Sequence, residues 1–139
     1  MHQAERDRRR TTIAVIDDDA RLATLVKTVL EEASDEYQVE IQPEVSLGYE
    51  FVRELQPQVI FLDMMMGVEE VGFDTLERLS DDVTLCDVPV IVSTAGLFPA
   101  ERYLSLKSPI SQLPKPFRLE ELLAAVESAL RTSPTSASA

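Results

Sequence analysis

The chain is poor in the residues that staple a fold or cage a metal. It has one cysteine, Cys86, in 139 residues. A lone cysteine excludes an internal disulfide and a cysteine-based zinc site. Long hydrophobic runs are also missing; none approaches the roughly 20 residues of a membrane span. The opening stretch MHQAERDRRRTT has no apolar core behind its arginines, so it does not read as a secretory signal. A cytoplasmic address is the expectation. Basic residues are scarce: 13 Lys and Arg stand against 25 Asp and Glu, a net charge of −12. An acidic body lacks the basic footprint of nucleic-acid binding. The composition therefore predicts no direct nucleic-acid contact, and no membrane contact. The four arginines within residues 1–10 are the exception, and residues 1–11 are expected to form a flexible basic arm.

What is present suits one globular domain with a core of its own: 45% apolar and 27% charged residues. Unbroken apolar runs occur at TTIAVI (11–16), VIFL (59–62) and VIV (90–92). Such runs fit strands buried on both faces of a parallel sheet. YQVEI (37–41) alternates like an edge strand, and ISQL (110–113) is a weaker strand. Helical spacing links Leu22, Leu25, Val26, Val29 and Leu30. A second stripe runs through Leu47, Phe51, Val52 and Leu55, with Ser46 as its cap and Pro57 as its stop. Phe73, Leu76 and Leu79 form a third. Residues 99–107 form a fourth, with Pro99 in its first turn. Leu119, Leu122, Leu123, Val126 and Leu130 form a fifth. TSPTSASA (132–139) reads as a disordered, linker-like tail. Five β-α repeats predict an α/β fold, a doubly wound parallel sheet with helices on both faces. Ligands of such folds sit at the carboxyl ends of the strands.

Those ends carry the chemistry. Asp17, Asp18 and Asp19 follow the first strand and Asp63 the third. Ser93 and Thr94 end the fourth, and Lys115 follows the fifth. Two carboxylates about 5 Å apart repel by roughly 3 kcal/mol at an effective dielectric near 20. The cluster needs cations. Lys115 is one, and a hard divalent ion such as Mg²⁺ is the natural second. A carboxylate in that setting can attack phosphorus and become an aspartyl phosphate. Asp19 reads as the cap of the first helix instead. Met64, Met65 and Met66 could suggest copper, but three in succession cannot face one ion, and packing is the simpler reading. Cys86 reads as filler.

The segments IAVIDDDARL, VIFLDMMM, PVIVSTAG and LPKPF, in that order and at these separations, resemble the receiver domain of two-component response regulators. The resemblance covers residues 12–131. It implies the flavodoxin-like (βα)5 fold with strand order 2-1-3-4-5. It implies that Asp63 is the phosphoacceptor, with Thr94 as the switch hydroxyl and Lys115 as the lysine that pairs with Asp63 and then the phosphate. It implies Mg²⁺ held by Asp18 directly, Asp17 through water, Asp63, and the backbone carbonyl of Met65. A cis bond between Lys115 and Pro116 is also implied. The implied role is signal transduction: the chain transfers a phosphoryl group to its own Asp63 rather than turning over a separate substrate. The only histidine, His2, lies in the basic arm. The donor is therefore expected to be a sensor histidine kinase or a histidine phosphotransfer protein. A protein partner or a second copy would read the face of the fourth helix, fifth strand and fifth helix. Two departures stand out: Gly67 where receivers usually have proline, and Gln112 where they carry an aromatic. Two alternatives stay open. One is a pseudo-receiver that binds without phosphorylation. The other is a haloacid-dehalogenase-like phosphatase using Asp17 and Asp19 as its D-x-D pair, although Arg21 stands where that class wants Thr or Val.

Overall fold

A computed structural model describes residues 10–64, 69–94 and 100–132 of the chain. Five strands form one parallel sheet: β1 (Thr11–Ile16), β2 (Tyr37–Gln42), β3 (Val59–Met64), β4 (Val90–Thr94) and β5 (Ile110–Gln112). Their spatial order is β2-β1-β3-β4-β5. The helices are α1 (Ala20–Ala33), α2 (Gly48–Leu55), α3 (Glu69–Asp81) and α4 (Leu119–Thr132). This is the expected doubly wound α/β, flavodoxin-like arrangement, and β2 is the expected edge.

The two sheet faces sort by residue parity, because side chains alternate along a strand. Ile13, Val15, Val59, Phe61 and Ile91 pack with Ala23, Val26 and Leu30 of α1 and with Leu122 and Val126 of α4. Ala14, Ile16, Ile60, Leu62, Met64 and Val92 pack with Val52 of α2 and with Phe73, Leu76 and Leu79 of α3. β3 lies at the centre and is buried along its whole length. Gly72 allows Met64 to lie against α3, since a Cβ there would come within 2.8 Å of Met64 Cγ. Met64 is thus a core residue, whereas Met65, Met66 and Gly67 lie outside the described residues.

Several local expectations change. Ser46 does not cap a helix. The chain enters α2 through a 3-10 turn at Val45–Leu47, which buries Val45. Neither that turn nor α2 has a side-chain cap. α2 ends at Leu55, and Gln56 takes a left-handed conformation (φ 55°) ahead of Pro57. The fourth helical pattern yields only a 3-10 helix at Ala100–Tyr103; Pro99 lies outside the described residues. Side chains three apart eclipse in a 3-10 turn. Tyr103 and Leu106 accordingly pack on the core while Leu104 is 82% exposed. One apolar residue in three cannot hold a longer α-helix on the sheet.

The free border of β2 is covered by side chains of α1. The N–H and C=O of Val39 point away from β1, since Thr11 N bonds Glu36 O and Asp17 N bonds Gln42 O. The Val39 amide donates to Glu31 Oε2 at 2.9 Å. The Lys27 ammonium donates to Val39 O at 2.7 Å and pairs with the same Glu31 oxygen at 3.1 Å. An unpaired sheet border is a template for association, and here two side chains occupy it. Replacing both, Lys27→Ala with Glu31→Ala, is expected to lower stability by about 1–2 kcal/mol in urea unfolding. A loss under about 0.3 kcal/mol would show that water serves this border equally well.

Candidate functional site

The row Ile13, Val15 on β1, continued by Asp17 just past its end, and the row Val59, Phe61, Asp63 on β3 lie on the same sheet face. The register that sets Val15 beside Phe61 carries Asp17 towards Asp63. Two carboxyl groups thus extend two apolar rows. Both residues are fully buried, while Asp18 and Asp19 are exposed. Asp19 is the cap of α1, its Oδ1 accepting from Arg21 N at 3.1 Å and Leu22 N at 3.2 Å. Asp17 Oδ1 accepts from Asp19 N at 2.8 Å, which fixes the tight exit from β1 into the helix.

Lys115 reaches the site from the other side. Its backbone N–H donates to Thr94 O at 3.1 Å, so the chain after β5 is pinned to the end of β4. The Lys115–Pro116 peptide is cis. The ammonium then pairs with Asp63 Oδ2 at 2.5 Å. Thr94 is buried at the end of β4, in register with Met64. The other carboxyl oxygens are left over: among the described residues, Asp17 Oδ2 and Asp63 Oδ1 have no hydrogen-bond partner. Gln112 is exposed, facing a shallow groove of about 240 Å³ that it shares with Pro109, Ala125 and Ser128.

Burial pushes the Asp17 carboxyl up to about 7; the Asp19 amide opposes that rise, and the Asp63 charge adds to it. Burial also raises Asp63, while the Lys115 ammonium and the nearby Asp17 carboxyl pull it back and the Asp18 charge pushes it further up. One ammonium does not satisfy two buried acids. Among the described residues no three His, Cys, Asp or Glu side chains stand close enough to enclose a metal. The two orphaned oxygens nevertheless fit a small hard cation, which needs only one or two carboxylates beside its waters. Met65, whose carbonyl was expected to assist, lies outside the described residues.

Sequence spacing did not show two other features. The first is an apolar groove of about 520 Å³ lined by Leu22, Leu25, Val26, Lys115, Pro116, Phe117 and Leu119. Leu25 and Leu119 fell on core stripes but are 46% and 40% exposed. The second is a tie between the chain that follows Asp63 and the chain that follows Thr94. Arg102 takes Glu70 with both nitrogens, at 2.7 and 3.3 Å, and its guanidinium lies 4.1 Å from the Phe73 ring centroid.

The raised Asp17 carboxyl has a consequence for stability. In the folded chain it holds its proton to about pH 7, against 3.8 for an ordinary aspartate. Between those values the folded state binds a proton that the unfolded state does not, so stability falls as pH rises through that window. In chelator, the urea midpoint of the parent is expected to drop from about pH 5 to about pH 8, and that of Asp17→Asn to drop less. Equal slopes would show that Asp17 is already ionised in the acid-side fold.

Known proteins place these observations. The family described as response regulator receiver domain matches residues 13–127. The DNA-binding dual master transcriptional regulator RpaA of Synechocystis is 35% identical over 120 residues, 86% of this chain and 48% of that protein. The DNA-binding response regulator MtrA of Mycobacterium bovis is 32% identical over 127 residues, 90% of this chain and 53% of that protein. A crystal structure of the signal receiver domain of a DNA-binding response regulator from Colwellia psychrerythraea superposes with a TM-score of 0.74 at 21% identity, covering 88% of this chain and 99% of that one. The chain spans about half the length of the curated relatives it matches. Both relatives are named as DNA-binding, which overturns the expectation of no nucleic acid drawn from net charge. The physical reason is that the acidic balance describes only the surface of these 139 residues, while the relatives extend well beyond the matched part. No helix among the described residues is long and apolar enough to cross a membrane. By sequence and by fold, the chain belongs to the response regulator receiver domain family.

Proposed function

We propose that Asp63 accepts a phosphoryl group from the phosphohistidine of a sensor kinase or phosphotransfer protein, and that the modified chain signals by a change of surface. One observation carries this reading: a fully buried carboxyl group at a strand end, with Lys115 on one oxygen and a second fully buried acid, Asp17, beside it. A structural aspartate is rarely buried against a second acid with one ammonium to share. Lys115 holds the carboxylate in place and neutralises charge as the phosphoryl group arrives. Burial keeps bulk water from the Asp63 carboxyl. Asp63 and Asp18 directly, Asp17 through water, and the carbonyl of Met65 would hold Mg²⁺. When bound, that ion would supply charge neutralisation for the phosphoryl oxygens. The groove beside Lys115, with Leu25 and Leu119 uncovered, offers the donor protein an apolar seat next to the acceptor.

Thr94 ends the strand next to β3, at the start of the segment that leads to Ala100–Tyr103, and would serve as the switch hydroxyl for an added phosphoryl. The response is a population shift between two arrangements, read on the face of the Ala100–Tyr103 turn, β5 and α4 by a protein partner or a second copy. The names of the two relatives bring a transcriptional output within this reading. A cytoplasmic setting follows from it. The phosphatase alternative is disfavoured because its second acid, Asp19, is already engaged in capping α1. A binding module without chemistry has no use for the orphaned acid oxygens.

Incubation with Mg²⁺ and a small acyl phosphate is expected to add the mass of one phosphoryl group to the intact chain. Asp63→Asn should abolish the gain, as should a chelator, and Lys115→Ala should slow it by roughly 10²-fold or more. A mass gain that survives in Asp63→Asn refutes the assignment. Absence of gain from both a small donor and a phosphorylated kinase would favour the pseudo-receiver.

A further inference from the structure

Ser93 is fully buried, and among the described residues its hydroxyl has no hydrogen-bond partner. A buried hydroxyl left unpaired costs the fold stability, so its presence calls for a use. Its position supplies one. Ser93 pairs in register with Asp63 on the adjacent strand, and strand alternation puts both side chains on the same sheet face. Lys115 comes from beyond β5, on the far side of β4, so its side chain crosses the end of β4 to reach Asp63. Ser93 therefore sits on the strand that Lys115 crosses, on the face that carries Asp63. Asp63 and Ser93 thus stand side by side as acceptor and donor, unbonded while Lys115 holds the Asp63 carboxyl.

We propose that Ser93 donates a hydrogen bond to the Asp63 carboxyl when the phosphoryl group leaves it; the proposal rests on Asp63 being the phosphoacceptor. Once Asp63 is phosphorylated, its esterified carboxyl is neutral, and the phosphoryl group carries the negative charge that draws the Lys115 ammonium. The carboxyl oxygen next to Ser93 is then served by the hydroxyl. In hydrolysis water attacks phosphorus and the bond from phosphorus to the Asp63 oxygen breaks. The electron pair returns to the carboxylate, and the water's oxygen and protons depart with inorganic phosphate. Charge grows on the carboxylate during that step, in a site with little water. A donor already in place lowers the barrier.

The test compares Ser93→Ala, Ser93→Val and Ser93→Thr in the full chain, phosphorylated with a small acyl phosphate and freed of donor. Loss of the phosphoryl mass is followed over time, and urea midpoints are measured on the unphosphorylated proteins. Ser93→Ala and Ser93→Val are expected to slow the loss by roughly three- to tenfold. Ser93→Thr, which has the shape of valine but keeps a hydroxyl, is expected to hold the parent's rate. Ser93→Ala is expected to raise the urea midpoint or leave it unchanged, so that stability and turnover move in opposite directions. Equal or faster loss in Ser93→Ala, or threonine behaving like valine, overturns the proposal. A lower urea midpoint in Ser93→Ala also overturns it, because the hydroxyl would then serve the fold. A parent that takes no phosphoryl group removes the phosphoacceptor reading and this proposal together; a phosphorylated parent with variant rates equal to its own removes this proposal alone.

Discussion

Two carboxyl groups, those of Asp17 and Asp63, are held out of water at neighbouring strand ends with one ammonium to share. Almost every larger feature of the fold serves that arrangement. It requires β1 and β3 to be adjacent and parallel, so that both carboxyl ends open on the same side. It requires a face of well-packed apolar residues behind each acid, which Ile13, Val15, Val59 and Phe61 supply with α1 and α4. It requires the chain after β5 to be pinned close enough for Lys115 to reach across β4, which the bond to Thr94 O ensures. An open antiparallel sheet would scatter these groups over both ends.

The tension shows in the protonation of the acids. Burial drives both upward, and a single lysine only partly opposes it. Such unbalanced charge is tolerated where chemistry needs it and is otherwise rare in cores. Among the described residues, Ser93 and Thr94 are the buried polar side chains at the end of the neighbouring strand, and the Ser93 hydroxyl is itself unpaired. The site is therefore under-satisfied as it stands, and stability rests on the two apolar layers to either side.

Much of this was legible in the residue order. Unbroken apolar runs at 13–16 and 59–62 had to be central parallel strands, and they are. The run of three aspartates divided as local chemistry dictates: Asp19 caps α1, and Asp17 turns inward. Lys115 and Asp63, far apart in sequence, meet because the topology brings their strand ends together. What could not be read depended on three-dimensional crowding. Leu25 and Leu119 follow helical spacing perfectly well, yet they line the open groove beside Lys115, Pro116 and Phe117. Ser46 has the chemistry of a cap, but burial of Val45 tightened the chain into a 3-10 turn first. The stretch after β4 had enough leucines for a helix but too few on one side. Net charge misled about partners because it averages over a surface and carries no information on what the rest of a longer relative does.

The contact of Arg102 with Glu70 and Phe73 has a mechanical meaning. The backbone leaves the acid cluster by two exits, one downstream of β3 and one downstream of β4. Arg102 fastens the second exit to the first turns of α3, which begin just past the first. The Glu70 side chain is 80% exposed, so the fastening is one that water and salt can loosen. Its consequence is a link between the Ala100–Tyr103 turn and the start of α3 whose strength ionic strength sets, firm in dilute buffer and slack in concentrated salt.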